Sequence, residues 1–312
     1  MTVKFGVVMD PIESIKPAKD TTLAMLLAAQ NRGWQLHYMT QTDLYKTGDD
    51  ARCNAATLQV KDDHADWFEK GAPRDMALAE LDVIFMRVDP PVDARYVYTT
   101  MLLECAERAG TLVVNRPSAL RDCNEKLFAT EFAGFCPPVL VSSNARQLHE
   151  FHQQHGDVIL KPLDGMGGAS IFRLAANDPN VNVVIETLTD HGSQLTMAQR
   201  FLPEISQGDK RILLINGEPV PHMLARIPTG GETRGNLAAG GRGEARPLGE
   251  REREIAEAIA PTLVQRGIIF AGIDIIGDYL TEINVTSPTC IRELDAQCGL
   301  DIAGDLMDAV ET

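Results

Sequence analysis

Residues 272–289 read GIDIIGDYLTEINVTSPT, and this stretch predicts a β-hairpin that carries a polar site. Two runs rich in β-branched side chains, Ile273 to Ile276 and Leu280 to Val285, have the composition of short strands. The pair Gly277-Asp278 between them is a turn signal. We therefore expect two antiparallel neighbouring strands.

Three oxygen-bearing side chains on this hairpin are candidates for a metal site. Glu282 and Asn284 are two residues apart and share one face of the second strand, while Asp274 lies on the first strand. Carboxylate and amide oxygens are the ligands that Mg²⁺ prefers. The alternative interpretation is a solvated sheet face with scattered acidic residues.

The register of the hairpin determines whether Asp274 can meet Glu282. A two-residue turn pairs Ile276 with Tyr279 and places the two carboxylates on opposite faces. A loop with an odd number of residues, one of the turn residues being left-handed, pairs the two carboxylates directly. We predict the odd loop, because it brings the oxygen ligands together.

The length and charge of the chain limit its class. At 312 residues it is long enough for about two or three domains and a large core. Lys and Arg number 29 against 44 Asp and Glu, which gives a net charge of −15. That balance argues against a nucleic-acid or membrane partner, since either needs a basic face.

Cysteine usage and the amino terminus indicate a cytoplasmic protein. The six cysteines form no C-x-x-C pair and no zinc spacing, so reduced thiols are expected. The apolar run from Val3 to Met9 is too short for a signal peptide or a membrane span. It predicts a buried first strand.

Strand and helix patterns alternate along the amino-terminal part of the chain, which predicts an open parallel sheet. Ligands bind beyond the ends of such strands, so Asp10-Pro11 and Arg87 to Pro91 are candidate binding loops. Simple turn chemistry is the alternative for both. The predicted strands are Val3–Met9, Trp34–Tyr38, Leu81–Met86 and Thr111–Asn115, and the predicted helices are Thr21–Arg32 and Ala94–Ala109.

A glycine-rich loop lies between two predicted strands in the middle of the chain. The first strand carries Lys161, and Gly165, Gly167 and Gly168 follow before a strand resumes. Glycines let backbone N–H groups approach an anion closely, and the lysine supplies charge. The loop lacks the Gly-Lys pair of a Walker A motif, and no helix follows it as in a dinucleotide fingerprint. We predict a flap over phosphates, with an ordinary hairpin turn as the alternative.

A second glycine-rich segment, Pro228–Glu244, contains six glycines together with Arg234 and Arg242. Because it interrupts strand-rich sequence, we predict a mobile lid. A linker between domains is the alternative.

Two helices are predicted on either side of these loops. One runs from Arg121 to Thr130, and from its pattern alone Lys126 is a solvated helix lysine. The other covers Glu250–Arg266, where Pro261 predicts a kink or a break.

The order of these parts resembles the ATP-grasp superfamily and, within it, the bacterial glutathione synthetases, from Val3 to the carboxyl end. The resemblance implies an α/β protein with the ATP-grasp fold, in which an amino-terminal open parallel sheet domain precedes two α+β subdomains that sandwich ATP. The expected domains are residues 1–122, 123–198 and 199–312, with the lid over 227–246. The stretches that carry the resemblance are Arg121–Phe128 (RDCNEKLF), Leu160–Ser170 (LKPLDGMGGAS), Pro228–Gly243, Asp274 and Thr281–Glu293 (TEINVTSPTCIRE).

The resemblance also implies roles for individual residues. Arg211, Arg226 and the lid residue Arg234 are the implied catalytic residues. The implied metal ligands are Asp274, Glu282 and Asn284, and the implied substrate-binding residues are Asp10, Arg87, Asn284 and Ser287. The implied ATP-binding residues are Lys126, Lys161, Gly165, Gly167, Gly168, Ser170, Gln199, Arg200, Phe201, Leu202 and Asp209.

The implied reaction joins γ-glutamylcysteine and glycine through an acyl phosphate, with ATP as co-substrate and Mg²⁺ or Mn²⁺ as cofactor. Positioning and charge neutralisation are what phosphoryl transfer mainly needs. The resemblance further implies a homotetramer. Other hypotheses are an ATP-grasp ligase with a different peptide substrate, and a nucleotide-binding phosphotransferase or sensor.

Overall fold

The computed structural model describes residues 2–165, 167–230, 235, 237 and 240–311, and its strands form three sheets in chain order. Each sheet uses strands from one continuous part of the chain. The predicted order of one amino-terminal α/β unit followed by two α+β units is therefore confirmed.

The amino-terminal sheet combines parallel and antiparallel strands. Four parallel strands lie in the order β2-β1-β6-β7, and three antiparallel strands extend the sheet beyond β2. None of the antiparallel strands was predicted; β5 is exposed along most of its length and so lacks the apolar alternation of a half-buried strand. The elements are β1 (Lys4–Val8), α1 (Thr21–Asn31), β2 (Gln35–Met39), β3 (Leu44–Thr47), β4 (Asp50–Val60), β5 (Phe68–Ala77), β6 (Val83–Met86), α2 (Ala94–Arg108) and β7 (Leu112–Val114).

The middle sheet is antiparallel and has the order β10-β9-β11-β8. Its core is a small apolar cluster around Leu148, Val158 and Ile185. Since β11 continues to Arg200, the predicted limit between residues 198 and 199 falls inside a strand. The elements are α3 (Pro117–Asp122), β8 (Val139–Ser142), α4 (Ala145–His155), β9 (Val158–Pro162), β10 (Phe172–Leu174), α5 (Val181–Leu188) and β11 (Thr196–Arg200).

The helix predicted over residues 121–130 is interrupted. It ends at Asp122, and a short 3₁₀ helix begins only at Phe128. Between them Asn124 Oδ1 accepts hydrogen bonds from Lys126 N and Leu127 N, at 3.1 and 3.0 Å. A side chain that occupies these N–H groups competes with the helix, so Lys126 lies in a turn.

The carboxyl-terminal sheet is antiparallel in the order β14-β13-β12-β15-β16. Strand β14 begins at Arg242, so the last residues of the predicted lid range, 242–246, are part of the sheet. The elements are β12 (Asp209–Ile215), β13 (Glu218–Ile227), β14 (Arg242–Pro247), α6 (Glu250–Arg266), β15 (Phe270–Ile276), β16 (Tyr279–Asn284), α7 (Ile291–Cys298) and α8 (Ile302–Glu311).

Helix α6 continues through Pro261 without the predicted break. Proline leaves the carbonyl four residues earlier, that of Glu257, without its helical N–H donor. Both Glu257 and Pro261 are exposed, so water can satisfy that carbonyl.

A buried asparagine fastens the amino-terminal sheet to the carboxyl-terminal one. Asn115 Nδ2 donates to the carbonyls of Phe270 and Val285, both at 2.7 Å. Its Oδ1 accepts from Ile269 N at 2.8 Å and Phe270 N at 2.9 Å. These four bonds fix the ends of the hairpin on which the metal site was predicted.

Among the helices in the described residues, none is both long enough and apolar enough to cross a membrane.

Candidate active site

The hairpin of β15 and β16 places Asp274 directly opposite Glu282, which confirms the predicted pairing. Its turn has two residues, with Ile276 paired to Tyr279, so the predicted odd loop is wrong. The extra residue is Thr281, which forms a β-bulge inside the hairpin. Thr281 Oγ1 donates to the Asp274 carbonyl at 3.1 Å and so satisfies a backbone acceptor at the bulge.

Asp274 is buried, and two arginines from neighbouring strands hold its carboxylate. Arg211 makes a bidentate pair with it, in which Nη2 lies 2.8 Å from Oδ2. Arg226 Nη2 lies 2.9 Å from the same oxygen, and Asn284 Nδ2 donates to it at 3.2 Å. Burial opposes ionisation, but the two guanidinium charges outweigh it and lower the pKa of Asp274 to about 2.

Asp209 extends this row of charges along the sheet. It lies two residues before Arg211, so both side chains take the same face of β12. Its carboxylate contacts Arg226, its partner across the strand pair. Burial raises the pKa of Asp209 above its ordinary value in spite of that contact. Arg226 therefore bridges Asp209 and Asp274.

The three predicted metal ligands lie together on neighbouring strands, and their donor set suits a hard divalent cation. Glu282 and Asn284 line the cavity, whereas Asp274 does not, and its carboxylate is already bonded to Arg211, Arg226 and Asn284. Within the described ranges, no three His, Cys, Asp or Glu side chains form a metal group by themselves. Two carboxylates and an amide leave positions for phosphate oxygens and water, the usual partners of Mg²⁺.

Two buried lysines face Glu282, Lys161 from β9 of the middle sheet and Lys126 from the turn before it. Lys126 Nζ and Lys161 Nζ each lie 3.9 Å from Glu282 Oε1. Burial lowers the pKa of Lys161, against the attraction of Glu282. Burial also disfavours the charge on Lys126, but Glu282 and Glu125 outweigh it and raise the pKa. The solvated interpretation of Lys126 is therefore wrong.

The glycine-rich loop begins beside these lysines. Gly165, Gly167 and Gly168 have φ values of +106°, +67° and +80°, a region that side chains with a Cβ rarely adopt. All three glycines line the cavity between the two sheets, whereas Ser170 is exposed and does not line it. The loop thus presents main chain to the cavity, as a flap over phosphates requires.

One end of the cavity is apolar. Gln199, Phe201 and Leu202 line it, together with Ile159 and Ile276. Arg200 does not line the cavity, because successive strand side chains alternate between faces. Its guanidinium lies 5.4 Å from the ring of Tyr279 instead.

The predicted substrate residues meet at the junction with the amino-terminal sheet. Asp10 Oδ2 accepts from Asp89 N at 2.9 Å, and Ser287 Oγ donates to Asp89 Oδ1 at 2.5 Å. Arg87 is buried behind the cavity, where its Nη2 donates to the Pro288 carbonyl at 2.9 Å. Of these, Ser287 and Asp89 line the cavity, and Asp10 and Arg87 support them.

The cavity has a volume of about 280 Å³ and collects most of the predicted site residues. Glu125, Ile205, Thr286 and Thr289 also line it and were not predicted. Glu125, Thr286 and Thr289 lie in the two stretches that carry the family resemblance, so the sequence marked their segments although not the residues themselves. The predicted residues that line it are Lys126, Lys161, Gly165, Gly167, Gly168, Gln199, Phe201, Leu202, Asp209, Arg211, Arg226, Glu282, Asn284 and Ser287.

The predicted lid contributes Gly235 and Leu237 to the cavity lining. Gly235 is buried against β13, and a Cβ on it would lie 2.3 Å from the Arg226 carbonyl, so only glycine fits there. Arg234, the predicted catalytic residue of the lid, lies outside the described residues.

A cleft between two antiparallel sheets, with lysines on one wall and carboxylates on the other, is the arrangement of the ATP-grasp ligases. Solved structures share this fold along nearly the whole chain. D-cycloserine synthetase DcsG superposes with a TM-score of 0.68 at 15% identity, covering 98% of this chain and 99% of that one. The ATP-grasp ligase PsnB, complexed with minimal precursor, Mg and ADP, gives 0.63 at 19%, covering 98% and 97%.

The family follows from sequence comparison. The model of the prokaryotic glutathione synthetase N-terminal domain matches residues 3–121, and that of its ATP-grasp domain matches residues 125–299. The glutathione synthetase of Pseudomonas syringae pv. tomato is 63% identical over 311 residues, which are 100% of this chain and 98% of that protein. That of Escherichia coli K12 is 58% identical over 309 residues, 99% and 98% of the two chains. The chain belongs to the prokaryotic glutathione synthetase family. Its co-substrate is therefore ATP, used with a divalent metal ion and small-molecule substrates.

Proposed function

We propose that this cleft synthesises glutathione from γ-glutamylcysteine and glycine, with conversion of ATP to ADP and phosphate. One observation carries the assignment of the reaction centre: Lys126 Nζ and Lys161 Nζ of one wall both lie 3.9 Å from Glu282 of the other. Family membership supports the identity of the products.

The polarity of the cavity supports one orientation of ATP. The apolar end, with Phe201, Leu202 and Ile276, suits an adenine ring. Asp209 and Arg211 lie on the same face of β12, and we place the ribose hydroxyls beside Asp209 and the triphosphate beside Lys126 and Lys161.

The charges of the cleft support a divalent cation beside the triphosphate. Each of the four cationic side chains already faces a carboxylate: the lysines face Glu282, and the two arginines face Asp274. An entering triphosphate therefore needs further positive charge. We propose Asp274, Glu282 and Asn284 as ligands of Mg²⁺, with Mn²⁺ as a substitute. A bound cation would neutralise phosphate charge and polarise the γ-phosphoryl group.

The residues of the chain then divide the work of acyl activation. Lys126, Lys161 and the main chain of the glycine-rich loop hold the phosphates, while Arg211 and Arg226 compensate the charge that develops at the γ-phosphoryl group. The cysteinyl carboxylate of γ-glutamylcysteine attacks phosphorus, ADP leaves, and an acyl phosphate forms.

Glycine's amine, once it has lost its proton, attacks the acyl carbon, and phosphate departs with the bonding electron pair. Water competes for the same carbon, so the reaction needs a cover. We propose the predicted lid for this role, because Gly235, one of its described residues, lies against Arg226. We place the peptide beside Asp89 and Ser287, with Asp10 and Arg87 supporting that loop.

A coupled assay of ADP release tests the proposal. ADP should form with γ-glutamylcysteine only when glycine is also present, and glutathione should appear in equal amount. Equal ADP release with and without glycine would contradict glutathione synthesis as the function. Turnover with a different amine or peptide would favour another ATP-grasp ligase.

We further propose a cytoplasmic homotetramer. Tyr98 and Met101, three residues apart on α2, are 64% and 47% exposed and form an apolar patch suited to a subunit contact. Light scattering on the purified protein, and on Tyr98→Glu, should report a tetramer that the variant disrupts.

A further inference from the structure

Asn124 was assigned no role by its sequence context, yet its amide is hydrogen-bonded in two directions. Oδ1 accepts from Lys126 N and Leu127 N at 3.1 and 3.0 Å, which closes the turn that carries Lys126. Nδ2 donates to the Leu163 carbonyl at 3.1 Å, at the start of the glycine-rich loop. One side chain therefore joins the turn to the loop.

The same turn is bonded to the opposite wall of the cleft. The Glu125 carbonyl accepts from Ile283 N at 2.8 Å, and Ile283 lies on β16 between two of the proposed metal ligands. Lys126 Nζ lies 3.4 Å from the carbonyls of both Leu163 and Gly165. Residues 123–127 thus connect the glycine-rich loop of the middle sheet with β16 of the carboxyl-terminal sheet.

We propose that Asn124 is a positioning residue that sets the spacing between the glycine-rich loop and Lys126. The proposal rests on the proposed nucleotide site. An amide suits the role because it accepts from two N–H groups and donates to a carbonyl at the same time. Lys126 Nζ is bonded to Glu125 Oε1 at 2.6 Å and lies 3.4 Å from the Leu163 carbonyl, so the bond that Asn124 donates to this carbonyl helps to fix where the lysine and the loop meet.

Asn124→Asp removes the donated bond and also adds a negative charge near the proposed phosphate site, so it is compared with an uncharged variant. Aspartate retains the acceptor that closes the turn, but it offers no donor to the Leu163 carbonyl and repels it. Asn144→Asp is the matched control: Asn144 Oδ1 caps α4 in the same way, accepting from Arg146 N at 3.0 Å and Gln147 N at 3.3 Å. Asn144 does not line the cavity.

The two variants and the wild type are titrated with AMPPNP and Mg²⁺ by calorimetry, and their KM, kcat and Tm are measured. Asn124→Asp should weaken nucleotide binding and raise KM for ATP by about tenfold, the effect of losing one hydrogen bond. KM for glycine should stay within about twofold, because Asn124 is proposed to act through the phosphate contacts of ATP. Asn144→Asp should match the wild type.

The outcomes separate this inference from the proposed function. A wild type that binds no nucleotide overturns the proposed site itself. A wild type that binds, beside an Asn124→Asp variant with equal affinity and equal KM, overturns the role of Asn124 alone. A lower Tm with unchanged nucleotide affinity also overturns it, since the role is then only structural. Asn124→Ser is measured in the same way, because serine can close the turn without adding a charge but is too short to reach Leu163. An Asn124→Ser variant with the nucleotide affinity and KM of the wild type also overturns the role of Asn124, since any effect of aspartate is then that of its charge.

Discussion

Asp274 in the cleft and Asp295 on α7 are aspartates of the same chain whose surroundings act in opposite directions. Arg211 and Arg226 overcome burial at Asp274 and lower its pKa to about 2. At Asp295, burial and the nearby carboxylates of Asp301 and Asp305 raise the pKa to about 6. In the cleft, where a triphosphate is proposed to bind, two arginines compensate the negative charge of the buried aspartate. Where no ligand is proposed, the protein instead favours the protonated acid.

Removing the compensated charge tests the first half of this contrast. Asp274→Ala leaves Arg211 and Arg226 buried without their shared carboxylate, and it should lower the free energy of unfolding by about 3–5 kcal/mol. Urea unfolding measures the change, with Glu257→Ala on the exposed face of α6 as the control. A loss below about 1 kcal/mol, the range of an exposed ion pair, would show that the pairing is not required for folding.

Glu282 separates function from folding on the same hairpin. Its carboxylate meets the two lysines at 3.9 Å, longer than a hydrogen bond, so Glu282→Ala should change the stability little. Glu282 is a proposed metal ligand and a neighbour of the phosphates, so Glu282→Ala should lower kcat by about 10³-fold. Turnover and Tm are measured together, and near-normal kinetics would take Glu282 out of the site.

A half-exposed pair gives the intermediate case. Arg173 donates to Asp157 at 3.0 and 2.6 Å and stacks on the ring of Phe201, with 3.7 Å between guanidinium carbon and ring centroid. Because Phe201 lines the proposed adenine end, Arg173→Ala should raise KM for ATP by about threefold and leave kcat unchanged. Arg146→Ala removes the exposed pair with Glu150 on α4 and serves as the control. Equal KM values for ATP in the two variants would contradict the idea that Arg173 supports Phe201 in nucleotide binding.

The uncompensated acid predicts a small effect of opposite sign. The folded pKa of Asp295, about 6, exceeds its ordinary value of 3.8, so the folded state binds its proton more tightly. Stability is therefore lost as pH rises from about 4 to about 6. Asn keeps the oxygen that accepts from Ile302 N at 3.1 Å. Asp295→Asn should raise the free energy of unfolding by about 1 kcal/mol at pH 7, after solvent screening, and by nothing below pH of about 4. A gain in the free energy of unfolding that is the same at every pH would show that the ionisation of Asp295 is not its cause.

The candidate site could be predicted in part because its motifs are local. Lys161, the glycines after it and the pair Glu282 and Asn284 are marked by short spacings that strand geometry and glycine chemistry explain. The pairing of Asp274 with Glu282 was also predicted. The bulge at Thr281 that produces it was not, because an extra strand residue leaves no compositional signal.

Other residues lie where their sequence neighbours do not indicate, because closeness in sequence is not closeness in space. Arg200 and Ser170 sit inside predicted binding segments, yet strand alternation and loop geometry keep both out of the cavity. Lys126 was taken for a solvated helix residue, but the bonds of Asn124 end the helix and turn the lysine inward. None of the three antiparallel strands beyond β2 was predicted.

The sequence by itself determined the alternation of strands and helices in the amino-terminal part, the limits of α1 and α2 to within one residue and the loops in which glycine is required, since periodicity and backbone preference act over a few residues. Only the tertiary structure decided which charges meet. Arg211 and Asp274 are 63 positions apart, and Lys126 and Glu282 still farther. The pKa values of Asp274 and Lys126 follow from burial and from partners that packing alone brings within a few ångströms.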